Sequence, residues 1–295
     1  MNTPNLLIVG AAKSGTTSLH EYLKQHPDIF MSEHKEPHFL INNEIGNKRI
    51  HKGIITKTDY NQLFSTKEEY VYKGESSVMY LLFPKIVIPN IKKYLGRNTK
   101  IIIMLRNPIE RAYSGYLHNI RYNPREILSF EEAIEITEDR YNEIEDMTPA
   151  TRYLEIGLYY NQVKAFKENF KHVHVILYDD YVKNIDLVLD TVFNFLNLDS
   201  VKIDTSKRYM TGGWKWKNYF MRGMLIPNNI FKSFFKKLIP FSNFRKIIKN
   251  MLIKLSTNKQ DTINTKTRKK LIHFYKKDIH NLSIFLERDL TSWLK

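Results

Sequence analysis

Leu6-Leu7-Ile8-Val9-Gly10-Ala11-Ala12-Lys13-Ser14-Gly15-Thr16-Thr17-Ser18-Leu19 opens the chain as an apolar run that breaks at Gly10 and turns through small residues carrying one lysine. It re-enters helical apolar spacing at Leu19, Tyr22 and Leu23. This order predicts a strand, an anion-cradling loop and a helix. Small residues let consecutive N–H groups converge on an anion, the helix N-terminus adds the positive end of its dipole, and Thr16, Thr17 and Ser18 add hydroxyl donors. A phosphate-like group is the expected ligand; a tight strand-to-helix turn with no ligand is the alternative. Gly10 and Gly15 have the separation of a Walker A loop, but Gly15 is followed by Thr16 and the lysine lies inside the loop as Lys13, which weighs against an ordinary ATPase or kinase.

Outward from this stretch, the chain alternates strand-like and helix-like segments. A helix over 17–26 ends at His26-Pro27, because a residue before proline is steered away from the α region. The short apolar piece Ile29-Phe30-Met31, expected beside the first strand, delivers Ser32-Glu33-His34-Lys35-Glu36-Pro37-His38-Phe39-Leu40. Here Glu36 is either a general base or simply the partner of Lys35. His34 and His38 have an i, i+4 spacing, but Pro37 breaks the helix that would align them as metal ligands, so no metal is expected. Residues 85–95 read as a helix stopped at Gly96. The β-branched run Lys100-Ile101-Ile102-Ile103-Met104-Leu105 has the character of a buried parallel strand and ends on Arg106. Pro108 then suits the first turn of the next helix. In open α/β sheets ligands bind beyond the carboxyl ends of the strands, where Arg106 and Ser114 would grip a second phosphate; the alternative for Arg106 is a helix cap or a surface ion pair. A helix over 157–170, a strand over 172–178 and an amphipathic helix over about 187–196 continue the alternation and predict an α/β fold with a parallel, doubly wound sheet.

With 295 residues the chain has the length of one large domain, 1–295, and the absence of cysteine excludes disulfides and thiolate metal sites. No charged leader precedes a long apolar segment, and no uncharged stretch reaches the roughly 20 residues of a membrane span, so a cytoplasmic location is expected. The net charge of +15 is lopsided: residues 201–295 carry 22 Lys and Arg against 5 Asp and Glu, whereas residues 1–200 carry 24 against 26. A cationic last third predicts an anionic partner. Within it, the basic, aromatic-rich segment at about 219–275 reads as helices over an acceptor cleft, as an amphipathic segment docked at the inner face of an anionic membrane, or as a helical cap with solvated lysines. No recognised motif supports nucleic-acid binding.

Three motifs in order, Ala12-Lys13-Ser14-Gly15-Thr16-Thr17-Ser18-Leu19, Lys35-Glu36-Pro37-His38-Phe39 and Arg106-Asn107-Pro108-Ile109-Glu110-Arg111-Ala112-Tyr113-Ser114, resemble those of the sulfotransferases that use 3'-phosphoadenosine-5'-phosphosulfate (PAPS), in particular the bacterial carbohydrate type and its heparan sulfate relatives. The ending Leu286–Leu294 is similar to that family's end as well. The resemblance implies a P-loop-type parallel sheet flanked by helices, PAPS as the donor, no metal, and a hydroxyl or amine of a carbohydrate or glycolipid as the acceptor. It implies further that Ser14, Gly15, Thr16, Thr17 and Ser18 hold the 5'-phosphosulfate, that Lys13 stabilises charge on the bridging oxygen, that Arg106 and Ser114 hold the 3'-phosphate, and that Glu36 is the catalytic carboxylate. Ser76 stands where heparan sulfate members often carry a lysine. Tyr209-Met210-Thr211-Gly212-Gly213-Trp214-Lys215 loosely matches the adenosine-side loop, which assigns Thr211, Gly212 and Lys215 to the cofactor; Trp214 either stacks on adenine or is an exposed tryptophan in a core-capping loop. The competing expectations are a P-loop nucleotide kinase and a non-catalytic nucleotide-binding or membrane-docking module.

Overall fold

A computed structural model describes residues 3–50, 53–123, 125–207, 209, 214–217, 257–259 and 261–295. Five strands, β1 (Leu6–Gly10), β2 (Ile29–Met31), β3 (Tyr72–Ser76), β4 (Lys100–Leu105) and β5 (Val173–Leu177), form one sheet in the order β2-β3-β1-β4-β5. Every pairing in it is parallel. The doubly wound reading of the sequence therefore holds, with one correction: β2 lies beside β3, at the edge, and β3 separates it from β1. Consecutive strands need not be neighbours, and the roughly 40 residues between β2 and β3 are long enough for β3 to insert between its predecessors.

The central strands are buried on both faces, which explains their unbroken apolar character. Leu7, Val9, Ile101, Ile103 and Leu105 feed one core, while Leu6, Ile8, Ile102 and Met104 feed the other. The first core is covered by α4 (Pro84–Tyr94), α5 (Pro108–Tyr122), α8 (Tyr159–Asn169) and α11 (Thr265–Leu286); the second by α1 (Thr16–Leu23) and α10 (Ile185–Leu196). Shorter helices fill the connections: α2 (Phe39–Ile45), α3 (Lys57–Gln62), α6 (Phe130–Glu135), α7 (Thr137–Glu143) and α9 (Tyr178–Lys183). A separate two-stranded antiparallel ribbon joins β6 (Trp214–Trp216) to β7 (Thr257–Lys259).

Helix boundaries follow local chemistry. Helix α1 stops at Leu23, three residues short of the expected His26, where the chain tightens so that the His26 N–H donates to the Leu23 carbonyl. Pro108 occupies the first turn of α5 as expected, and the Asn107 side chain caps it by accepting from the Ile109 N–H at 3.0 Å. Gly96 ends α4 with φ of 97°, in the left-handed region that glycine enters without a steric penalty.

The fold places β1 and β4 side by side at the centre while their outgoing connections run to opposite sides of the sheet. That is a topological switch point, the crevice where open α/β sheets bind ligands.

Candidate active site

The loop after β1 and the loop after β4 meet at this crevice. The Ala11 N–H donates to the Met104 carbonyl at 2.7 Å, and Arg106 donates through Nη1 to the Lys13 carbonyl at 3.3 Å. Gly10 allows the approach: a Cβ there would lie 2.7 Å from Leu81 Cβ and 2.9 Å from the Val78 carbonyl oxygen. Gly15, with φ of 92°, then starts α1, and no side chain caps that helix end. The first-turn N–H groups of a helix have no partner within it. Here they face a cavity of about 630 Å³ lined by Lys13, Gly15, Thr16, Thr17 and Ser18. Ser14 lies beneath them, fully buried, with its Oγ in no hydrogen bond of ordinary geometry.

The opposite side of the same cavity is built by β4 and α5. Arg106 follows the last strand residue, with its guanidinium carbon 4.9 Å from the centre of the Tyr178 ring. It does not cap α5, a role that falls to Asn107, and among the described residues it forms no ion pair. Ser114, on α5, lines the cavity with it. His118 and Arg121 follow on α5, one and about two turns beyond Ser114, and also reach the cavity. Neither was singled out from the sequence. The available signal was helical phase, since positions i, i+4 and i+7 share a face.

Glu36 closes the third side. Its backbone, with φ of 65°, is held by an N–H donation to the Ser76 carbonyl at 3.0 Å, and its half-buried carboxylate meets Lys35 Nζ at 2.7 Å and His38 Nε2 at 3.6 Å. Burial opposes ionisation of this carboxyl, but His38 and Lys35 outweigh it and hold Glu36 below the usual carboxylate range. The pairing with Lys35 and the position in the cavity are thus both realised. Ser76, in the place of a second cation, accepts or donates at 2.8 Å with His20 Nδ1 behind the site.

The electrostatics of this arrangement favour an anion. Burial, then the charges of Arg121 and Arg106, lower the Lys13 ammonium from its ordinary value to about 8. Burial, then Lys13 and Arg121, push His118 down to about 4, so its imidazole is neutral at physiological pH. Among the lining residues Glu36 and Glu110 oppose Lys13, Arg106, Arg111 and Arg121, and Glu110 is already paired with Arg268. An anionic ligand would relieve this repulsion. Two phosphate-type groups fit the donor set: one at the Lys13 loop and α1 N-terminus, one at Arg106 and Ser114.

The adenosine-side assignments fare differently. Thr211 and Gly212 lie outside the described residues, as do residues 219–256 of the basic segment. Lys215 is in β6, where it pairs with Asp261 and borders a second, smaller cavity with Tyr113 and Trp216. Trp214 packs against Arg121, whose guanidinium carbon is 4.9 Å from its ring centre, and receives the Arg121 Nε–H on its carbonyl at 2.9 Å. Neither residue lines the main cavity, whose aromatic lining is Tyr22, Tyr113, Tyr178, Tyr181 and Tyr209. No group of three or more metal-ligating side chains occurs among the described residues.

The family model described as "Sulfotransferase domain" matches residues 3–211. Human carbohydrate sulfotransferase 15 is 26% identical over 246 residues, which covers 66% of this chain and 44% of that protein. The mouse bifunctional heparan sulfate N-deacetylase/N-sulfotransferase 1 is 28% identical over 201 residues, covering 67% of this chain and 22% of that protein. The chain thus spans less than half the length of these two relatives. A crystal structure of a sulfotransferase from Alicyclobacillus acidocaldarius superimposes with a TM-score of 0.75 at 28% identity, covering 99% of both chains. With its parallel sheet, its anion loop at the switch point and this match over most of its length, the chain belongs to the sulfotransferase domain family.

Proposed function

We propose that the protein transfers a sulfuryl group from PAPS to a hydroxyl or amine of a carbohydrate acceptor. The observation that carries this reading is the convergence, on one cavity, of an uncapped helix N-terminus with Lys13, a second anion grip at Arg106 and Ser114, and the ionised Glu36. The carbohydrate acceptor is supported by the relatives named above, which are carbohydrate and heparan sulfate sulfotransferases.

When bound, PAPS supplies an activated sulfuryl group whose transfer breaks the sulfur–oxygen bond to the 5'-phosphate. The α1 N-terminus and the Thr16, Thr17 and Ser18 hydroxyls would hold the phosphosulfate, and Arg106 and Ser114 the 3'-phosphate. Lys13 would stabilise negative charge on the departing phosphate end of the donor. Glu36 would accept the proton of the acceptor hydroxyl or amine. His38 and Lys35 keep Glu36 ionised and therefore ready to accept; the same contacts make it a weak base that releases the proton readily to solvent.

The test is transfer of label from PAPS to a panel of glycans and simple alcohols, with adenosine 3',5'-bisphosphate binding measured in parallel. Glu36→Gln is expected to lower kcat by roughly 10²–10⁴-fold with binding of the bisphosphate near normal. Arg106→Ala is expected to weaken that binding instead. Magnesium-dependent ATP turnover, or transfer untouched by Glu36→Gln, would overturn the proposal.

A further inference from the structure

Helix α11 gathers most of its cations on one face, while Arg268 and Lys270, outside that face, pair with Glu110 and Glu135. Lys266, Lys269, His273, Lys276, Lys277 and His280 are all exposed, and at 3.6 residues per turn their spacing confines them to an arc of about 100° extending about 21 Å along the axis. Among the described residues none of the four lysines is held in an ion pair. The helix has a single acid, Asp278, and this turns inward, accepting from the Tyr159 N–H at 2.8 Å. Leu271, Tyr275, Ile279 and Leu282 form the buried face. The N-terminal end of α11 lies by the active-site rim, because Arg268 in its first turn, on a different side of the helix from the stripe, pairs with Glu110, a lining residue of the main cavity.

We propose that this face is a track for an anionic polysaccharide, along which a chain extends from the cavity mouth over α11; as a statement about the acceptor, this rests on the sulfotransferase reading above. A linear polyanion matches a straight row of cations that leads out of a cleft. A membrane fits less well, since a surface-bound amphipathic helix puts its apolar face into the lipid, whereas that face of α11 is used in packing against the protein. Duplex nucleic acid is the other polyanion, and the sequence carries no recognised nucleic-acid-binding motif.

The experiment measures binding of the full chain to heparin, used as the probe, across a range of salt concentrations, with phosphatidylglycerol vesicles and a 40-base-pair duplex (about four helical turns) as competitors of the other two classes. The variant Lys266→Glu/Lys269→Glu/Lys276→Glu/Lys277→Glu is compared with a matched set on other surfaces, Lys57→Glu/Lys67→Glu/Lys85→Glu/Lys202→Glu. A third variant with glutamine at the four α11 positions guards against misfolding from charge reversal. The α11 variants are expected to lose about tenfold or more in heparin affinity and to show a shallower salt dependence, while the matched set changes by less than about twofold. Equal losses in both sets, or wild-type binding to vesicles or duplex at least as tight as to heparin, would overturn the track. Adenosine 3',5'-bisphosphate binding separates the two readings: if it is absent while heparin binding depends on α11, the sulfotransferase reading fails and the track stands.

Discussion

Lys13 shows how a single side chain is tuned by its surroundings. Buried and facing Arg106 and Arg121, its ammonium sits at about 8 rather than near its ordinary 10.5. An anion bound against it raises that value again, so ligand binding and protonation are linked. The protonated form binds the anion better. Affinity for adenosine 3',5'-bisphosphate is therefore expected to be greatest below pH 8 and to fall by up to about tenfold per pH unit above it, until the pKa of the complex is reached. Calorimetry in buffers of different ionisation enthalpy would register the uptake of a fraction of a proton on binding near pH 8. In Lys13→Met both the slope and the uptake should vanish, and a persisting slope would assign the titration to another group. Lys13 and Glu36, which the structure brings to one cavity, were legible because each sits in a short, chemically dense segment. His118 and Arg121 were not, since their roles depend on which face of α5 meets the cavity. For Trp214 and Lys215 the resemblance implied a nucleotide contact, with core capping as the alternative for Trp214; tertiary packing sets Trp214 against Arg121 and Lys215 against Asp261.

At the scale of elements, the β1–loop–α1 unit works because left-handed residues, Lys13 at φ of 67° and then Gly15, turn the backbone where the strand passes into the helix. Gly15 does this at φ of 92°, and a Cβ added there would lie 3.2 Å from the Tyr178 ring and 3.3 Å from Met104 Cε. The same Tyr178 ring lies under Arg106. Gly15→Ala is accordingly expected to disturb both anion grips at once. The left-handed conformation alone costs a residue with a Cβ roughly 1–2 kcal/mol, so a fall of several degrees in Tm should accompany a loss of about tenfold or more in adenosine 3',5'-bisphosphate affinity. Thermal melting and titration calorimetry on one sample would check this; unchanged affinity would show that the loop tolerates displacement of Tyr178. The elements themselves were largely legible: β1, β4 and β5 announce themselves as buried strands, and Pro108 and Gly96 mark helix ends. Their lateral order was not. Periodicity reports which residues are buried, but the insertion of β3 between β2 and β1 is decided by long-range pairing that no local pattern encodes.

For the molecule as a whole, the charge imbalance between its first two thirds and its last third has a structural expression in α11, which turns most of its cations outward and attaches itself through an apolar face and several polar contacts. Asp278 is one of these contacts, accepting from the N–H groups of Tyr159 at 2.8 Å and Tyr160 at 3.2 Å at the start of α8. Burial is the largest influence on this carboxyl and raises it to about 6, against the opposing effect of the two N–H donors. The folded value lies above the ordinary 3.8, so between these pH values the folded protein holds a proton that the unfolded chain has released. Stability from this site is thus full below about pH 4, declines as pH rises to about 6, and stays at its reduced level above that. Asp278→Asn keeps an acceptor for the Tyr159 N–H while removing the buried charge. Relative to wild type, it should gain about 1–2 kcal/mol between pH 4.5 and pH 7.5, read as a Tm difference that moves in its favour by a few degrees over that range. A Tm difference independent of pH would mean that Asp278 is ionised throughout and that the α8 N-terminus, not burial, governs it.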